Sequence, residues 1–172
     1  MNDTKRIALI STGGTIEKTY DELSGVLSNR ISVLDVMLGR LLHEGREIDR
    51  VSLMNKDSLD MTPEDHDLIA EVAGRHAGSH DGVVIVHGTD RLSVSGERCV
   101  VKLGVPRVPI VFTGAMRPWA LRTTDALQNL TEALLAVQTL APGVYVAMHG
   151  RVLQFPGVVK DQERGMFVRS RA

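Results

Sequence analysis

The sequence predicts an α/β fold with three layers, in which helices cover both faces of a mostly parallel sheet. Short apolar runs at residues 7–10 and 83–86 lack alternating polar residues, which is typical of strands buried on both faces. Segments with the apolar spacing of helices lie between such runs, and this alternation predicts βαβ units. Polar residues and glycines follow the runs, where open α/β sheets place their ligand sites.

The composition indicates a single soluble domain that spans residues 1–172, with 43% hydrophobic and 24% charged residues. The net charge of −1 gives no reason to expect nucleic acid or an anionic membrane as a partner. No apolar run approaches the roughly 20 residues that span a bilayer. The single cysteine, Cys99, and an N-terminus without the pattern of a signal peptide lead us to expect a cytoplasmic protein.

The first half of the chain begins with the strand at residues 7–10. Residues 17–29 are polar and rich in turn formers, so we expect a loop that acts as a lid over the end of that strand. A helix is predicted from Ser32 to about Leu42, because apolar residues recur there at helical spacing. A strand at residues 48–53 and a polar loop at residues 55–61 follow.

The second half opens with a clear helix start. Thr62 suits an N-cap, Pro63 suits the first helical position, and acidic residues occupy the first turn, so a helix is predicted from there to about His80. The remaining predicted elements are a strand at 83–86, a helix at 91–103, a strand at 108–112, a helix at 124–140, a strand at 144–148 and a short strand or hairpin arm at 151–155. Residues 156–172 are basic and contain glycine, and no element is predicted there.

Polar clusters after the predicted strands bring candidate reactive groups to one edge of the sheet. Parallel strands end at the same edge, so the side chains that follow them converge there. The residues that we expect to share one pocket are Thr15, Ser58, Thr89, Asp90 and Lys160.

A hydroxyl, an acid and an amine together suit attack on the carbonyl carbon of an amide or ester. A threonine hydroxyl becomes a nucleophile when a neighbouring group takes its proton, and a lysine or a carboxylate that orients it can do so. Backbone N–H groups in the glycine turns would stabilise the oxyanion. No set of residues has the spacing of a complete metal site, so we expect hydrogen bonds, without a metal, to activate the carbonyl.

Taken singly, the same residues have structural interpretations that stay open. Gly13 and Gly14 suit a plain turn between a strand and a helix. Ser58 suits a turn cap, and Asp90 suits the N-cap of the following helix. Lys160 alone suits an exposed charge.

Four motifs resemble those of the bacterial-type L-asparaginases in order and spacing. They lie at residues 12–16, 57–61, 87–90 and 114–118, and Lys160 falls where that family places its lysine. The resemblance covers nearly the whole chain and corresponds to the family's N-terminal domain, which has a flavodoxin- or Rossmann-like architecture. The smaller C-terminal domain of the full-length family has no counterpart in residues 1–172.

The resemblance implies a role for each matching residue. Thr15 is the expected nucleophile that forms an acyl-enzyme, and Tyr20 is the tyrosine that orients it. Thr89, with Asp90 and Lys160 as its partners, supplies the second hydroxyl, and Thr89 as the attacking group remains the alternative. Asp57, Ser58 and Asp90 are expected to bind the α-carboxylate and α-amino groups of the substrate, and Thr89 is also expected to bind substrate. The backbone carbonyl of Ala115 is expected to receive the side-chain amide of the substrate.

The reaction implied by the resemblance is hydrolysis of L-asparagine to L-aspartate and ammonia, without a cofactor, by a homo-oligomer (dimer or tetramer). Leu59 replaces the glutamine of the periplasmic type, which favours the cytoplasmic type and disfavours glutamine as a substrate. One alternative is a non-catalytic module that keeps the pocket and senses an amino acid or nucleotide. Another is an amidase acting on a larger substrate, as in transamidation of acylated tRNA, although the near-neutral charge disfavours tRNA binding.

Overall fold

The computed structural model describes residues 4–28 and 33–170, which form ten strands and four α-helices. The strands are β1 (Lys5–Gly13), β2 (Thr19–Asp21), β3 (Val26–Ser28), β4 (Arg46–Lys56), β5 (Gly82–Val86), β6 (Pro109–Thr113), β7 (Gly143–Met148), β8 (Arg151–Gln154), β9 (Val158–Asp161) and β10 (Met166–Arg169). The helices are α1 (Leu34–Leu38), α2 (Pro63–Ala77), α3 (Leu92–Leu103) and α4 (Ala126–Thr139). Two 3-10 turns lie at Thr15–Glu17 and Ser58–Asp60.

The central sheet has six strands in the order β4-β1-β5-β6-β7-β8. The first five are parallel, and β8 is antiparallel to β7. Ile10 of β1 lies opposite Val51 on one side and Ile85 on the other, which aligns the C-terminal ends of three neighbouring strands. Every residue of β5, β6 and β7 is buried. The predicted mostly parallel sheet is therefore confirmed.

Each face of the sheet carries its own apolar layer, because successive strand residues point to opposite faces. Ala8 and Ile10 of β1 belong to the layer under α2 and α3. Ile7 and Leu9 belong to the layer under α1 and α4. The predicted three-layer architecture is thus confirmed, and it leaves the strand ends free to carry loops.

Helix α2 begins as its sequence predicts. The Thr62 hydroxyl accepts a hydrogen bond from the Asp65 N–H at 3.3 Å, and the Asp65 carboxylate accepts one from the Thr62 N–H at 2.9 Å. This reciprocal pair is a capping box. The helix ends at Ala77 rather than near His80, because glycine at position 78 has a low helix propensity, and the Gly78 N–H closes a tighter turn by donating to the Arg75 carbonyl at 3.2 Å.

Two segments expected to lack regular structure form antiparallel hairpins. Strands β2 and β3 pair within the loop predicted at residues 17–29, with Tyr20 opposite Leu27. Strands β9 and β10 pair near the C-terminus, with Lys160 opposite Phe167. These strands are three or four residues long, so their sequences carry too few alternations to be recognised. Residue 29 lies outside the described residues.

The helix predicted from Ser32 to Leu42 is much shorter in the structure. Helix α1 covers only Leu34–Leu38, and Ser32 lies outside the described residues. Gly39 follows the last helical residue, and the next backbone bonds, such as Arg40 N–H to the Met37 carbonyl, close tighter turns. Leu42 is consequently exposed rather than on a buried helical face.

Candidate active site

Glycine contacts bring the loops after β1, β4 and β5 together. A Cβ atom on Gly14 would lie 2.5 Å from the Cα of Gly88, and one on Gly88 would lie 2.6 Å from the Oγ of Ser58. Gly14 has φ of +83°, a conformation that costs glycine little. Gly114, after β6, packs equally closely on the carbonyl oxygen of His87. Four loops therefore meet through their backbones at one edge of the sheet.

Thr15 is half-buried at the first position of the 3-10 turn Thr15–Glu17. It directly follows Gly14, so it lies beside the loop that contains Thr89. No hydrogen bond joins its hydroxyl to any of the residues that the structure describes. The Thr15 hydroxyl therefore lies where the loops meet and makes no hydrogen bond to the described residues.

Thr89, Asp90 and Lys160 form a compact hydrogen-bonded group. The Lys160 Nζ donates to the Oγ1 of Thr89 at 2.9 Å and to the Oδ1 of Asp90 at 2.6 Å. The lysine side chain is only 11% exposed, and Thr89 is buried. An ammonium so placed stabilises negative charge that develops on the threonine oxygen. It can accept a proton only after giving one up, for which Asp90 is the adjacent acceptor.

The loop after β4 presents Asp57 and Ser58. The Asp57 carboxylate accepts from the Leu59 N–H at 3.1 Å and from the Lys18 Nζ at 2.7 Å. The hydrogen bond from Lys18 is the main cause that holds the pKa of Asp57 below its usual value, against the effect of burial. Ser58 is buried, and its Oγ accepts from the Arg91 N–H at 3.3 Å. Lys18 therefore ties the loop of Thr15 to that of Ser58.

The loop after β6 contains the buried Ala115 and is held by Asp125. The Asp125 carboxylate accepts from the N–H groups of Met116 at 3.0 Å and Arg117 at 2.9 Å. It also faces the Nε2 of His149 at 2.6 Å. Burial is the largest single influence and raises the pKa of Asp125, but these donors together outweigh it, so the pKa is lowered. Asp125 is charged and fixes the loop in one position.

Two sequence expectations find no counterpart in the geometry. Tyr20 is 60% exposed on β2, and within the described ranges no hydrogen bond joins it to Thr15. The interpretation of Asp90 as a helix N-cap is wrong. The N-cap of α3 is Arg91, and the Asp90 carboxylate turns instead to Lys160.

Sequence reasoning did not identify Lys18 or Asp125 as part of this region. Nothing in a polar loop singles out Lys18, because its partner lies 39 positions further along the chain. Asp125 falls within the helix predicted at 124–140, so the sequence does not single it out for a role in this region. In the structure Asp125 makes no side-chain cap and bonds backward to Met116 and Arg117.

Residues 4–28 and 33–170 contain neither a metal site nor a membrane-spanning helix. No group of three or more His, Cys, Asp or Glu side chains in these ranges is arranged to hold a metal ion. No helix among them is long and apolar enough to cross a bilayer.

Comparison with known proteins identifies the relatives of the chain. A family model described as "Asparaginase, N-terminal" matches residues 6–166. The L-asparaginase of Thermococcus kodakarensis is 29% identical over 161 residues, covering 94% of this chain and 49% of that protein. A glutamyl-tRNA(Gln) amidotransferase subunit of Haloquadratum walsbyi is 35% identical over 150 residues, covering 83% of this chain and 33% of that protein.

Solved structures share the fold. The thermostable L-asparaginase from T. kodakarensis superposes with a TM-score of 0.84 at 29% identity, covering 95% of this chain and 51% of that one. A probable cytoplasmic L-asparaginase from Campylobacter jejuni superposes with a TM-score of 0.77 at 31% identity, covering 91% and 49% of the two chains. The chain therefore spans about half the length, or less, of the relatives that it matches.

Proposed function

Because this chain belongs to the asparaginase family, whose N-terminal domain residues 6–166 match, we propose that it is an amidohydrolase that converts L-asparagine to L-aspartate and ammonia. The observation that carries the proposal is the contact of Lys160 with both Thr89 and Asp90, beside the loop of Thr15. This contact supplies a hydroxyl, an acid and an amine at one point, a set that suits amide hydrolysis.

In the proposed mechanism the Oγ1 of Thr15 attacks the carbonyl carbon of the side-chain amide. A bond forms between this oxygen and the carbon, and the threonine proton passes through the Thr89, Asp90 and Lys160 group to the leaving nitrogen. The carbon–nitrogen bond then breaks, and ammonia leaves an acyl-enzyme on Thr15. Water adds to this ester and releases aspartate, which restores the hydroxyl. Attack by Thr89 instead of Thr15 remains the alternative order.

The substrate would be held by the loops that surround Thr15. We assign its α-carboxylate and α-amino groups to Asp57, Ser58 and Asp90, and a further substrate contact to Thr89. Asp57 and Asp90 already bind ammonium groups of the protein. A carboxylate that accepts from a lysine ammonium has the charge and geometry to accept from an α-ammonium. The side-chain amide would donate to the backbone carbonyl of Ala115, whose loop Asp125 fixes.

A cytoplasmic location, a single domain formed by residues 1–172 and a homo-oligomer (dimer or tetramer) belong to the same proposal. The location is supported by the description of the C. jejuni relative as a probable cytoplasmic L-asparaginase. A second copy of the chain would cover the site beside Ser58, where Leu59 is exposed. Light scattering on the purified protein measures the number of copies directly.

The decisive experiment is the release of ammonia from L-asparagine by the purified protein. We expect Thr15→Ala to lower kcat by at least about 1000-fold with no change in the circular dichroism spectrum. The matched control is Thr131→Ala, the same change at an exposed position on α4, for which kcat should not move. Equal turnover by Thr15→Ala and the native protein would overturn the assignment of Thr15.

A second candidate is an amidase that supplies ammonia to a tRNA-dependent amidotransferase. The relatives named as components of glutamyl-tRNA(Gln) amidotransferases, at 32–35% identity, favour it. Preferred hydrolysis of L-glutamine over L-asparagine would select this function. Binding of aspartate in a calorimeter without ammonia release from either amide would select a non-catalytic sensing module.

A further inference from the structure

A chain of hydrogen bonds connects helix α2 to the loop that follows β5. The Nδ1 of His66 lies 2.7 Å from the Oγ of Ser95, and this Oγ lies 2.8 Å from the Nε2 of His87. The Nδ1 of His87 lies 2.7 Å from the carbonyl oxygen of Gly88. All three side chains are almost fully buried. This series of hydrogen bonds therefore runs through the interior, out of reach of bulk water.

The direction of every bond follows from the end at Gly88. A carbonyl oxygen only accepts, so the Nδ1 of His87 carries the hydrogen and donates it. His87 is neutral at pH 7, because burial lowers its pKa to about 4, and its Nε2 therefore accepts. The Ser95 hydroxyl must give its one hydrogen to this Nε2. Ser95 then accepts from the Nδ1 of His66, so both imidazoles are Nδ1–H tautomers.

The last hydrogen bond of the series, from His87 to the carbonyl of Gly88, fixes the Gly88 peptide group, on which the proposed site depends. Gly88 touches the Thr15 loop through Gly14 and the Asp57 loop through Ser58. Thr89 and Asp90 follow immediately, so rotation of the Gly88 peptide would move both away from Lys160. A displacement of about 1 Å in such a group is enough to slow catalysis strongly.

We propose that His66 and Ser95 are positioning residues for the loop of residues 87–90, and that they act through His87. Neither has a hydrogen bond to Thr15, Thr89 or Lys160 among the described residues. The role rests on the function proposed above, since the loop that they hold carries Thr89 and Asp90. The Nε2 of His66 is buried without a hydrogen-bond partner in the described part of the chain, which is unfavourable for folding. Because His66 lowers the stability of the fold but completes the series of hydrogen bonds, it fits a positioning role better than a structural one.

The first test measures kcat and KM for L-asparagine in variants of the chain. We expect Ser95→Ala and His66→Leu to lower kcat about 10-fold while KM changes less than about 3-fold. His66→Asn keeps a donor at the place of Nδ1 and should recover kcat to within about 3-fold of the native value. Ser93→Ala is the matched control, because Ser93 lies on the same helix and its buried Oγ has no partner among the described residues. A merely structural role would lower the melting temperature and leave kcat of the folded protein unchanged.

The second test reads the tautomers by nitrogen-15 NMR and does not depend on activity. In the native protein His66 and His87 should both be Nδ1–H, and in Ser95→Ala His66 should change to Nε2–H while His87 does not. The backbone amide signals of Thr89 and Asp90 should shift in Ser95→Ala. An Nε2–H tautomer for native His66, unchanged signals for both loop residues, or native kcat in Ser95→Ala would overturn the inference. Absence of turnover in the native protein would overturn only the proposed function, and the NMR results would then decide the inference alone.

Discussion

Lys160 is the residue on which the proposed reaction depends most after Thr15. Its ammonium donates to both Thr89 and Asp90, so its removal leaves a hydroxyl and a carboxylate without their common partner. We expect Lys160→Met to lower kcat/KM for asparagine about 100-fold. Lys160→Arg, which keeps the charge on a longer and planar group, should recover part of the loss. Steady-state release of ammonia measures both values.

The control for Lys160→Met is Lys102→Met. Lys102 also pairs with a carboxylate, that of Glu71 at 3.0 Å, but on the outer face of α3. Its replacement should leave kcat/KM unchanged. Equal losses in the two variants would mean that a general effect of charge, rather than the contact with Thr89, explains the result.

His87 makes the stability of the protein depend on pH. An unfolded histidine takes up a proton near pH 6.5, whereas burial lowers the pKa of His87 to about 4. Between these values the unfolded chain binds more protons than the folded one, so the free energy of unfolding falls as the pH falls. The contribution of His87 is full above pH 6.5, and about 3 kcal/mol of it is lost by pH 4. Urea unfolding at several pH values between 7 and 4 measures this loss.

The variant His87→Asn isolates this effect, because it cannot be protonated and keeps a donor at the position of Nδ1. The pKa of His66 is also lowered, so His66 contributes in the same direction in both proteins. The difference between the native protein and the variant should therefore shrink as the pH falls from 6.5 to 4. A difference that stays constant over this range would contradict a neutral, buried His87.

Some residues of the site could be predicted from the sequence and others could not. The convergence of Thr89, Asp90 and Lys160 follows in part from parallel strands, whose ends share one edge. The Lys18 contact with Asp57 depends on how a loop folds back, which no local pattern records. The exposure of Tyr20 likewise depends on the direction of a hairpin rather than on its residue types.

At the scale of elements, the close approach of Gly14 to Gly88 holds the loop after β1 against the loop after β5. Its φ of +83° is unfavourable for alanine, and a Cβ would also lie 2.5 Å from Gly88. We expect Gly14→Ala to lower the free energy of unfolding by about 2 kcal/mol or more and to lower turnover, because Thr15 must move. Chemical denaturation and ammonia release measure the two effects.

Gly45→Ala provides the comparison for this substitution. Gly45 has a similar φ of +74°, but a Cβ there meets nothing within 4 Å. Its cost should be about 1 kcal/mol from backbone strain alone, with turnover unchanged. If Gly14→Ala behaved like Gly45→Ala, the close approach of the two loops would not matter for the site.

Element boundaries show where sequence patterns succeed. The start of α2 was predictable because Thr62, Pro63 and Asp65 each satisfy a distinct requirement of a helix N-terminus. The hairpins β2–β3 and β9–β10 were not, since strands of three or four residues need their partners to be stable. Helix α1 was overestimated because apolar spacing continued past Gly39, where the backbone tightens.

The whole molecule should unfold in one step, because α-helices on both faces share a single sheet. The chain offers one probe for each face. Trp119, the only tryptophan, packs beside the α1 and α4 layer, and Cys99, the only cysteine, is buried in the α2 and α3 layer. Tryptophan fluorescence and cysteine labelling should give the same midpoint in urea. Separate midpoints would show that the two faces unfold independently.

At this scale the fold class was predictable, because alternating strands and helices admit few arrangements. Continuous burial of β5, β6 and β7 matches their unbroken apolar runs. The strand order, with β1 between β4 and β5, did not follow from any local signal. Such an order depends on which crossovers bury both layers, a property of the complete chain.

Lys160 lies on hairpin β9–β10, outside the central sheet, so this segment can be made by chemical synthesis with a different side chain at position 160. A peptide made in the laboratory and ligated near Gly157 would carry the residue at position 160. The length of the side chain at position 160 could then be varied one methylene at a time, with side chains that the genetic code does not provide. Such a series would measure the side-chain length that is needed to contact Thr89 and Asp90 together.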